Sequence, residues 1–401
     1  MFLFNLFFNR LMSYGRLTVI DAGGKIHVYQ GEPTDVFPPV TIRLHDRSIH
    51  WRLPLRPAMT VGESYMDGTL TIEEGTLYDF LALVSENLHR MDQRYSPGEH
   101  AFAMVRLLQQ WNPVSSSKRN VARHYDLSGA LYDLFLDSDR EYSCAYFATA
   151  GMSLEEAQRA KKTHIMTKLL LRPGQKVLDI GCGWGGLALS MARDYDVDVT
   201  GITLSEEQLK VARLRAEDAQ LTGKVHFRLC DYRDIAERFD RIVSVGMFEH
   251  VGVGYFQTFF NHVRDLLTDN GVALLHAIGR SAGPGVTNAW IRKYIFPGGY
   301  SPALSEVLPK VERAGLLVTD IELLFPHYAE TLHHWAERFA KNRASAAKIY
   351  DERFCRMWEF YLAGAETAFR HQGLMVFQMQ MAKNHADIPR TRDYITARER
   401  C

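Results

Sequence analysis

Several features that would narrow this chain's role at once are missing from it. Cysteine is scarce: five in 401 residues, an odd number, and none of Cys144, Cys182, Cys230, Cys355 and Cys401 falls in a C-x-x-C pair. That argues against a disulfide framework and against a metal site of zinc type, and it fits a reducing, cytoplasmic setting. Net charge is absent too, since 47 Lys+Arg balance 47 Asp+Glu. A nucleic-acid partner would call for a basic excess, so none is expected. No apolar run reaches the roughly 20 residues of a transmembrane helix. The apolar start, Met1-Phe-Leu-Phe-Asn-Leu-Phe-Phe-Asn-Arg-Leu-Met12, lacks the basic leader and small-residue cleavage site of a secretory signal. It reads either as a helix packed on its own domain or as an interfacial helix touching a bilayer. Internal repeats and low-complexity tracts are also lacking.

What is present is a large apolar fraction, 46% of the residues, enough for two domains. Short alternating runs at Leu17–Asp21, Ile26–Tyr29, Val40–Leu44 and Ile49–Leu53 read as strands, and Leu77 to Arg90 reads as a helix. Together they suggest a small N-terminal α+β domain over residues 1–105. Ser96-Pro-Gly98 and Pro113-Val-Ser-Ser-Ser-Lys118 mark a linker, taken as 106–120. Over 121–401 strand and helix patterns alternate. Strands are expected at Lys176–Ile180, Val197–Ile202, Val225–Leu229, Arg241–Val245, Val272–His276, Leu316–Leu323 and Leu374–Met381. This is the pattern of an α/β fold with a doubly wound, mostly parallel sheet of seven strands, in which ligands bind at the carboxyl ends of the strands.

The first of those strands runs into a glycine loop, Val177-Leu-Asp-Ile-Gly-Cys-Gly-Trp-Gly-Gly186. Its spacing admits two cofactors. Gly181, Gly183 and Gly186 fit the dinucleotide pattern, and Gly181, Gly183 and Gly185 fit the loop of S-adenosylmethionine enzymes. A dinucleotide site wants an acidic residue at the end of the second strand to bond the ribose. Here that strand ends at Ile202 and is followed by Thr203, Ser205 and Gln208. The missing acid, together with Asp179 inside the first strand, favours S-adenosylmethionine and a Rossmann-like methyltransferase.

Other strand ends carry chemistry as well. The fourth runs into Gly246-Met-Phe-Glu-His-Val-Gly252, the fifth into Leu275-His-Ala-Ile-Gly279, and the sixth is followed by Pro326-His-Tyr-Ala-Glu-Thr331. Tyr142-Ser-Cys-Ala-Tyr-Phe147 has no helix or strand period. Singly, a strand-end histidine is an ordinary hydrogen-bonded group and Cys144 is ordinary core. Jointly they converge on the rim where the methyl donor belongs.

With His124-Tyr-Asp126, Arg172-Pro-Gly-Gln-Lys176, Ile291-Arg-Lys-Tyr-Ile-Phe-Pro-Gly-Gly299 and Met357-Trp-Glu-Phe-Tyr-Leu362, these stretches resemble the cyclopropane-fatty-acyl-phospholipid synthase family, which is related to the mycolic acid cyclopropane synthases. Gly62-Glu-Ser-Tyr-Met-Asp-Gly68 resembles the N-terminal, lipid-binding-like domain of the phospholipid enzymes. The resemblance implies methyl transfer from S-adenosylmethionine to a cis double bond of an unsaturated phospholipid acyl chain, followed by deprotonation assisted by a bound bicarbonate and closure of a cyclopropane ring. It assigns Cys144, Glu249, His276, Ile278 (through its backbone) and Tyr328 to the bicarbonate. Tyr142, Ser143, Asp179, Gly181, Gly183, Thr203 and Gln208 fall to the methyl donor, and no metal is expected. It further implies a peripheral protein on the cytoplasmic face of the inner membrane, for which a homodimer would suit the grip on a bilayer. Methyl or methylene branching on the same scaffold, a dinucleotide-dependent oxidoreductase and a non-catalytic lipid carrier are the competing expectations.

Overall fold

The computed structural model describes residues 2–94, 128–386 and 388–399. The expected linker over 106–120 and the His124-Tyr-Asp126 stretch lie outside the described residues. Contacts divide the chain into two compact units, each built from three segments. The first is Met1–Ala101, Thr287–Ile295 and Leu332–Gly373, and the second is Phe102–Val286, Phe296–Thr331 and Leu374–Cys401. The sequence reading left Thr287–Ile295 and Leu332–Gly373 with the C-terminal domain, yet both group with the N-terminal residues. The reason is packing. Helix Glu352–His371 lies along helices Leu77–Arg94 and Pro57–Met66. Trp290 is fully buried against Phe360 (ring centroids 4.7 Å apart), and its indole N–H points to Met66 Sδ at 3.3 Å. A side chain at Gly62 would collide with the same indole.

In this first unit, β1 (Arg16–Ile20), β2 (Ile26–Gln30), β3 (Val40–Leu44) and β4 (Leu70–Glu74) form a sheet of order β2-β1-β3-β4. The β1–β2 and β3–β4 pairs are antiparallel, and β1–β3 is parallel. The run expected as a strand at Ile49–Leu53 is instead the start of helix Ile49–Leu55. Asp46 accepts bonds from both the N–H and the hydroxyl of Ser48, which turns the chain just before it. Ile49 and Leu53, four apart, are the buried pair, a helical and not a strand spacing. Helix Phe2–Leu11 buries Phe4, Phe8 and Leu11 on one face. Phe8 stacks on Tyr29 at 5.1 Å and Phe4 meets His50 edge-on at 5.5 Å.

The second unit holds the expected seven-stranded sheet: β5 (Lys176–Ile180), β6 (Asp198–Thr203), β7 (Val225–Leu229), β8 (Phe239–Val245), β9 (Leu267–Arg280), β10 (Leu317–Leu323) and β11 (Leu374–Ala382). Its order is β10-β11-β9-β8-β5-β6-β7. Only β11 pairs antiparallel with its neighbours, on both sides. Alternate residues feed opposite faces. Val177, Val199 and Val243 join one apolar cluster with Leu187 and Ala212, while Leu178, Ile180 and Ile242 join another with Phe256 and Phe260. Helices therefore cover both faces, as a sheet buried on both sides requires. Strand β9 is longer than its sequence pattern suggests. It runs past the end of β8, whose last residue Val245 pairs with His276. The stretch from His276 to Arg280 thus lies where the chemistry is expected.

Candidate active site

Strand β5 ends in a turn that only glycine makes cheaply. Gly181, Gly183 and Gly185 have φ of +83°, +52° and +85°, and Gly185 opens helix Gly186–Tyr195. A Cβ at Gly181 would stand 2.9 Å from Met247 Cβ, whereas at Gly183 it would meet nothing within 4 Å. The space so kept open is a cavity at the carboxyl ends of the parallel strands. Tyr142, Ser143, Asp179, Gly181, Gly183, Thr203 and Gln208 all line it. Beyond β6, the Thr203 hydroxyl donates to Gln208 Oε1 at 2.9 Å, and Ser205 caps helix Glu206–Asp218 by accepting from the Gln208 N–H. The polar turn is therefore a rigid wall.

Asp179 gives the cavity its electrostatic character. It is buried, its Oδ2 has no hydrogen-bond partner, and its pKa is raised to about 7. Burial is the main cause and Glu141 adds to it, while Lys161 opposes it. A buried carboxylate oxygen left bare is costly. A ligand with a fixed positive charge would relieve that cost, and S-adenosylmethionine carries a sulfonium and an ammonium. The residues fit that donor.

Some residues in or behind the cavity wall escaped the sequence reading. Lys161 is 1% exposed on helix Leu154–Lys168. It pairs with Glu141 and donates to Ser143 Oγ at 2.8 Å, so it fixes two wall residues. No sequence signal marks it, because a lysine on a polar helix reads as solvated. Asp231 and Arg233, a two-bond pair at 2.7 Å each, line the cavity itself. These were findable, since they directly follow β7 as the other site residues follow their strands.

The five residues assigned to an anion do not line this cavity. Cys144 and Glu249 adjoin in the chain the lining residues Ser143 and His250, and the five fall into two groups. Glu249 is buried, and its Oε1 accepts from the Ile278 N–H at 2.6 Å. That N–H is available because β8 has already ended, so no strand satisfies it. The resemblance offered the Ile278 backbone directly to the anion; here its N–H is taken by Glu249. Glu249 Oε2 has no partner, and burial raises the carboxyl to about 7. His276 is buried, and its carbonyl accepts from the Gly246 N–H. Burial first, then the charges of Lys161, Lys168 and His164, hold its imidazole neutral.

Cys144 and Tyr328 form the other group. The Ala145 N–H donates to Thr331 Oγ1 at 3.0 Å, and the Phe147 N–H to His327 Nδ1 at 3.0 Å. These bonds tie the Cys144 segment to the first turns of helix Phe325–Ile349, which carry the buried Tyr328. The Cys144 thiol donates to the Ala145 carbonyl, and burial pushes its pKa up, so it stays a thiol. The charge of Lys161 bears on Cys144, His276 and Asp179 alike. Among the described residues there is no cluster able to hold a metal ion.

A mostly parallel sheet with this loop, and a cavity with an unsatisfied carboxylate at its strand ends, defines a Rossmann-like, S-adenosylmethionine-dependent methyltransferase. Comparison with known proteins agrees. Residues 114–379 match the model of the mycolic acid cyclopropane synthetase family. A probable fatty acid methyltransferase of Pseudomonas putida is 37% identical over 92% of this chain and 95% of its own. The cyclopropane-fatty-acyl-phospholipid synthase of Escherichia coli K12 is 38% identical over 86% of this chain and 88% of its own. The crystal structure of mycolic acid cyclopropane synthase CmaA1 with SAH and CTAB superposes with a TM-score of 0.63 at 35% identity, covering 66% of this chain and 97% of that one. The chain belongs to the mycolic acid cyclopropane synthetase family.

Proposed function

We propose that the protein methylates the cis double bond of an unsaturated acyl chain in a phospholipid and closes a cyclopropane ring. The carrying observation is Glu249, a buried carboxyl near 7 with one oxygen held by the Ile278 N–H and the other bare, on a strand end shared with a neutral His276. Two bare anions would repel, so a carboxyl that keeps its proton near neutral pH suits a small anion as neighbour. Cys144, Glu249, His276 and Tyr328 are the residues that would hold bicarbonate, with the Ile278 N–H holding Glu249. When bound, that ion supplies a base for the proton lost at ring closure, and S-adenosylmethionine supplies the methyl group.

The chain's own residues do the rest. Asp179 and the glycine loop seat the positively charged donor, while Thr203 and Gln208 fix the wall beside it. The imidazole of His276 donates a hydrogen bond without adding charge, and the buried thiol of Cys144 stays neutral. Buried apolar side chains exclude the water that would quench a carbocation on the lipid. Access to lipid fits a peripheral position at the cytoplasmic face of the inner membrane, with the N-terminal unit as the lipid-contacting part. In support, helix Phe2–Leu11 exposes Phe2, Leu3 and Leu6 opposite its packed face, an arrangement suited to the headgroup boundary. No helix among the described residues is long and apolar enough to cross a membrane.

The test is incubation with S-adenosylmethionine and vesicles of a monounsaturated phospholipid, followed by mass analysis and proton NMR of the acyl chains. A cyclopropyl methylene signal is expected. A product that gains the same carbon but shows a methyl or methylene branch instead would overturn ring closure. The second reading is methyl branching; the Pseudomonas relative is called a probable fatty acid methyltransferase, a name that specifies no ring.

A further inference from the structure

His276 lies in a row of polar side chains that crosses three strands. In the antiparallel registers of the sheet, Gln378 of β11 stands directly opposite His276 of β9, and Glu322 of β10 stands directly opposite Gln378. The row is closed at its outer end. Glu322 Oε2 bonds His164 Nε2 at 2.6 Å and pairs with Lys168, which is itself fully buried. At its inner end, Gln378 Nε2 lies 3.2 Å from His276 Nδ1, with Gln378 completely buried and its Oε1 without a partner.

We propose that Gln378 is a positioning residue: its amide N–H donates to Nδ1 and so fixes His276 as the tautomer with its proton on Nε2. The proposal rests on the anion-holding role assigned to His276 above, and it says how that role is secured. A neutral imidazole has one N–H and one lone pair, on different nitrogens. An amide N–H facing Nδ1 takes the lone pair there, so the proton must sit on Nε2, at the far edge of the ring. That edge then offers a donor, as an anion requires. The reverse arrangement, with Gln378 Oε1 facing a protonated Nδ1, would leave Nε2 a bare acceptor and repel an anion. Charge does not force the choice the other way. Burial and the cations Lys161 and Lys168 disfavour a second proton on the ring, so the imidazole cannot escape by becoming an imidazolium. Glu322 Oε2 is engaged by His164 and Lys168, which lessens its competition for the Gln378 amide.

The test reads the ring itself. The full chain is labelled with 15N-histidine, and long-range 1H–15N spectra identify the tautomer of each histidine, with His276→Asn giving the assignment. The expected result is an Nε2–H tautomer at His276 in the wild type. In Gln378→Glu, a nearly isosteric change, a carboxylate acceptor should draw the proton to Nδ1; in Gln378→Leu the preference should be lost. An Nδ1–H tautomer in the wild type, or an unchanged tautomer in both variants, overturns the proposal. In turnover assays, Gln378→Leu should lower kcat by roughly 10- to 100-fold, as loss of an outer hydrogen-bond partner does at comparable sites, with the KM for S-adenosylmethionine little changed. An equal effect on donor KM would count against it. Should no cyclopropane product form at all, the reading of the reaction fails, while the wild-type spectrum still decides the tautomer.

Discussion

Glu249 combines two properties that water would not allow together, a single hydrogen bond and a carboxyl that holds its proton near pH 7. If it faces the anion, Glu249→Ala should lower turnover by about 10²- to 10⁴-fold, the range of a lost acid–base group, with calorimetric donor affinity nearly unchanged. Equal loss of both would remove it from the chemistry. Its pKa also makes a stability statement. The folded-state value of about 7 lies above the reference 4.5. The folded protein therefore keeps a proton that the unfolded chain gives up. Stability from this group is complete below about pH 4.5 and is lost as pH rises to about 7, by roughly 3 kcal/mol in all. Glu249→Gln, neutral at every pH, should thus gain in Tm over the wild type on going from pH 5 to pH 8. A gap that stays constant over that range would show that the carboxyl is not perturbed. Glu249 and Tyr328 were legible because each follows a strand, and His276 because it closes the apolar run of β9. Lys161 was not, because its burial depends on segments distant in sequence that carry Glu141 and Ser143.

At the scale of elements, the glycine loop separates two kinds of constraint. Gly181→Ala meets both a positive φ and a backbone-proximal contact at Met247. It should destabilise the protein by about 1–3 kcal/mol, seen as a lower Tm. Gly183→Ala meets only the φ term, so its Tm loss should be smaller, yet its methyl group intrudes on the donor cavity and should weaken S-adenosylmethionine binding. If Gly183→Ala binds the donor as the wild type does, the loop is not the donor's seat. The same scale shows where local reading fails. β5 and β11 match their apolar runs almost to the residue, since a strand buried on both faces leaves an apolar signature, while the edge strand β7 matches through its alternation Val-His-Phe-Arg-Leu. Ile49–Leu55 misleads because Ile-His-Trp-Arg-Leu alternates like a strand, and only the Asp46–Ser48 turn and the core beneath make it a helix.

For the whole molecule, the first helix has two faces with separate duties. Truncating Phe4 or Phe8 to Ala should cost about 3–5 kcal/mol, measured by thermal denaturation, because each fills a packed site. Replacing Phe2, Leu3 and Leu6 together by Ser should leave Tm nearly unchanged but reduce sedimentation with phospholipid vesicles, since these side chains touch little of the protein. Unchanged vesicle binding would return the helix to a packing role alone. Removing Phe2–Leu11 outright would confuse the two, because both faces go together. The two units likewise mix sequence segments. Trp290 and helix Glu352–His371 belong with the N-terminal residues by contact, although they lie far along the chain.

By itself the sequence determined the α/β class, the seven-stranded sheet, the glycine loop and the strand-end residues, and through them the family. These are local properties: apolar periodicity, positive-φ turns and motifs of a few residues. The tertiary structure alone decided which residues share a cavity, that Lys161 is buried and bonded to two of them, that Glu249 takes the Ile278 N–H, and that Gln378 stands opposite His276. Each of these depends on strand register or on segments distant in sequence meeting, and a protonation state follows from the burial that such meetings create.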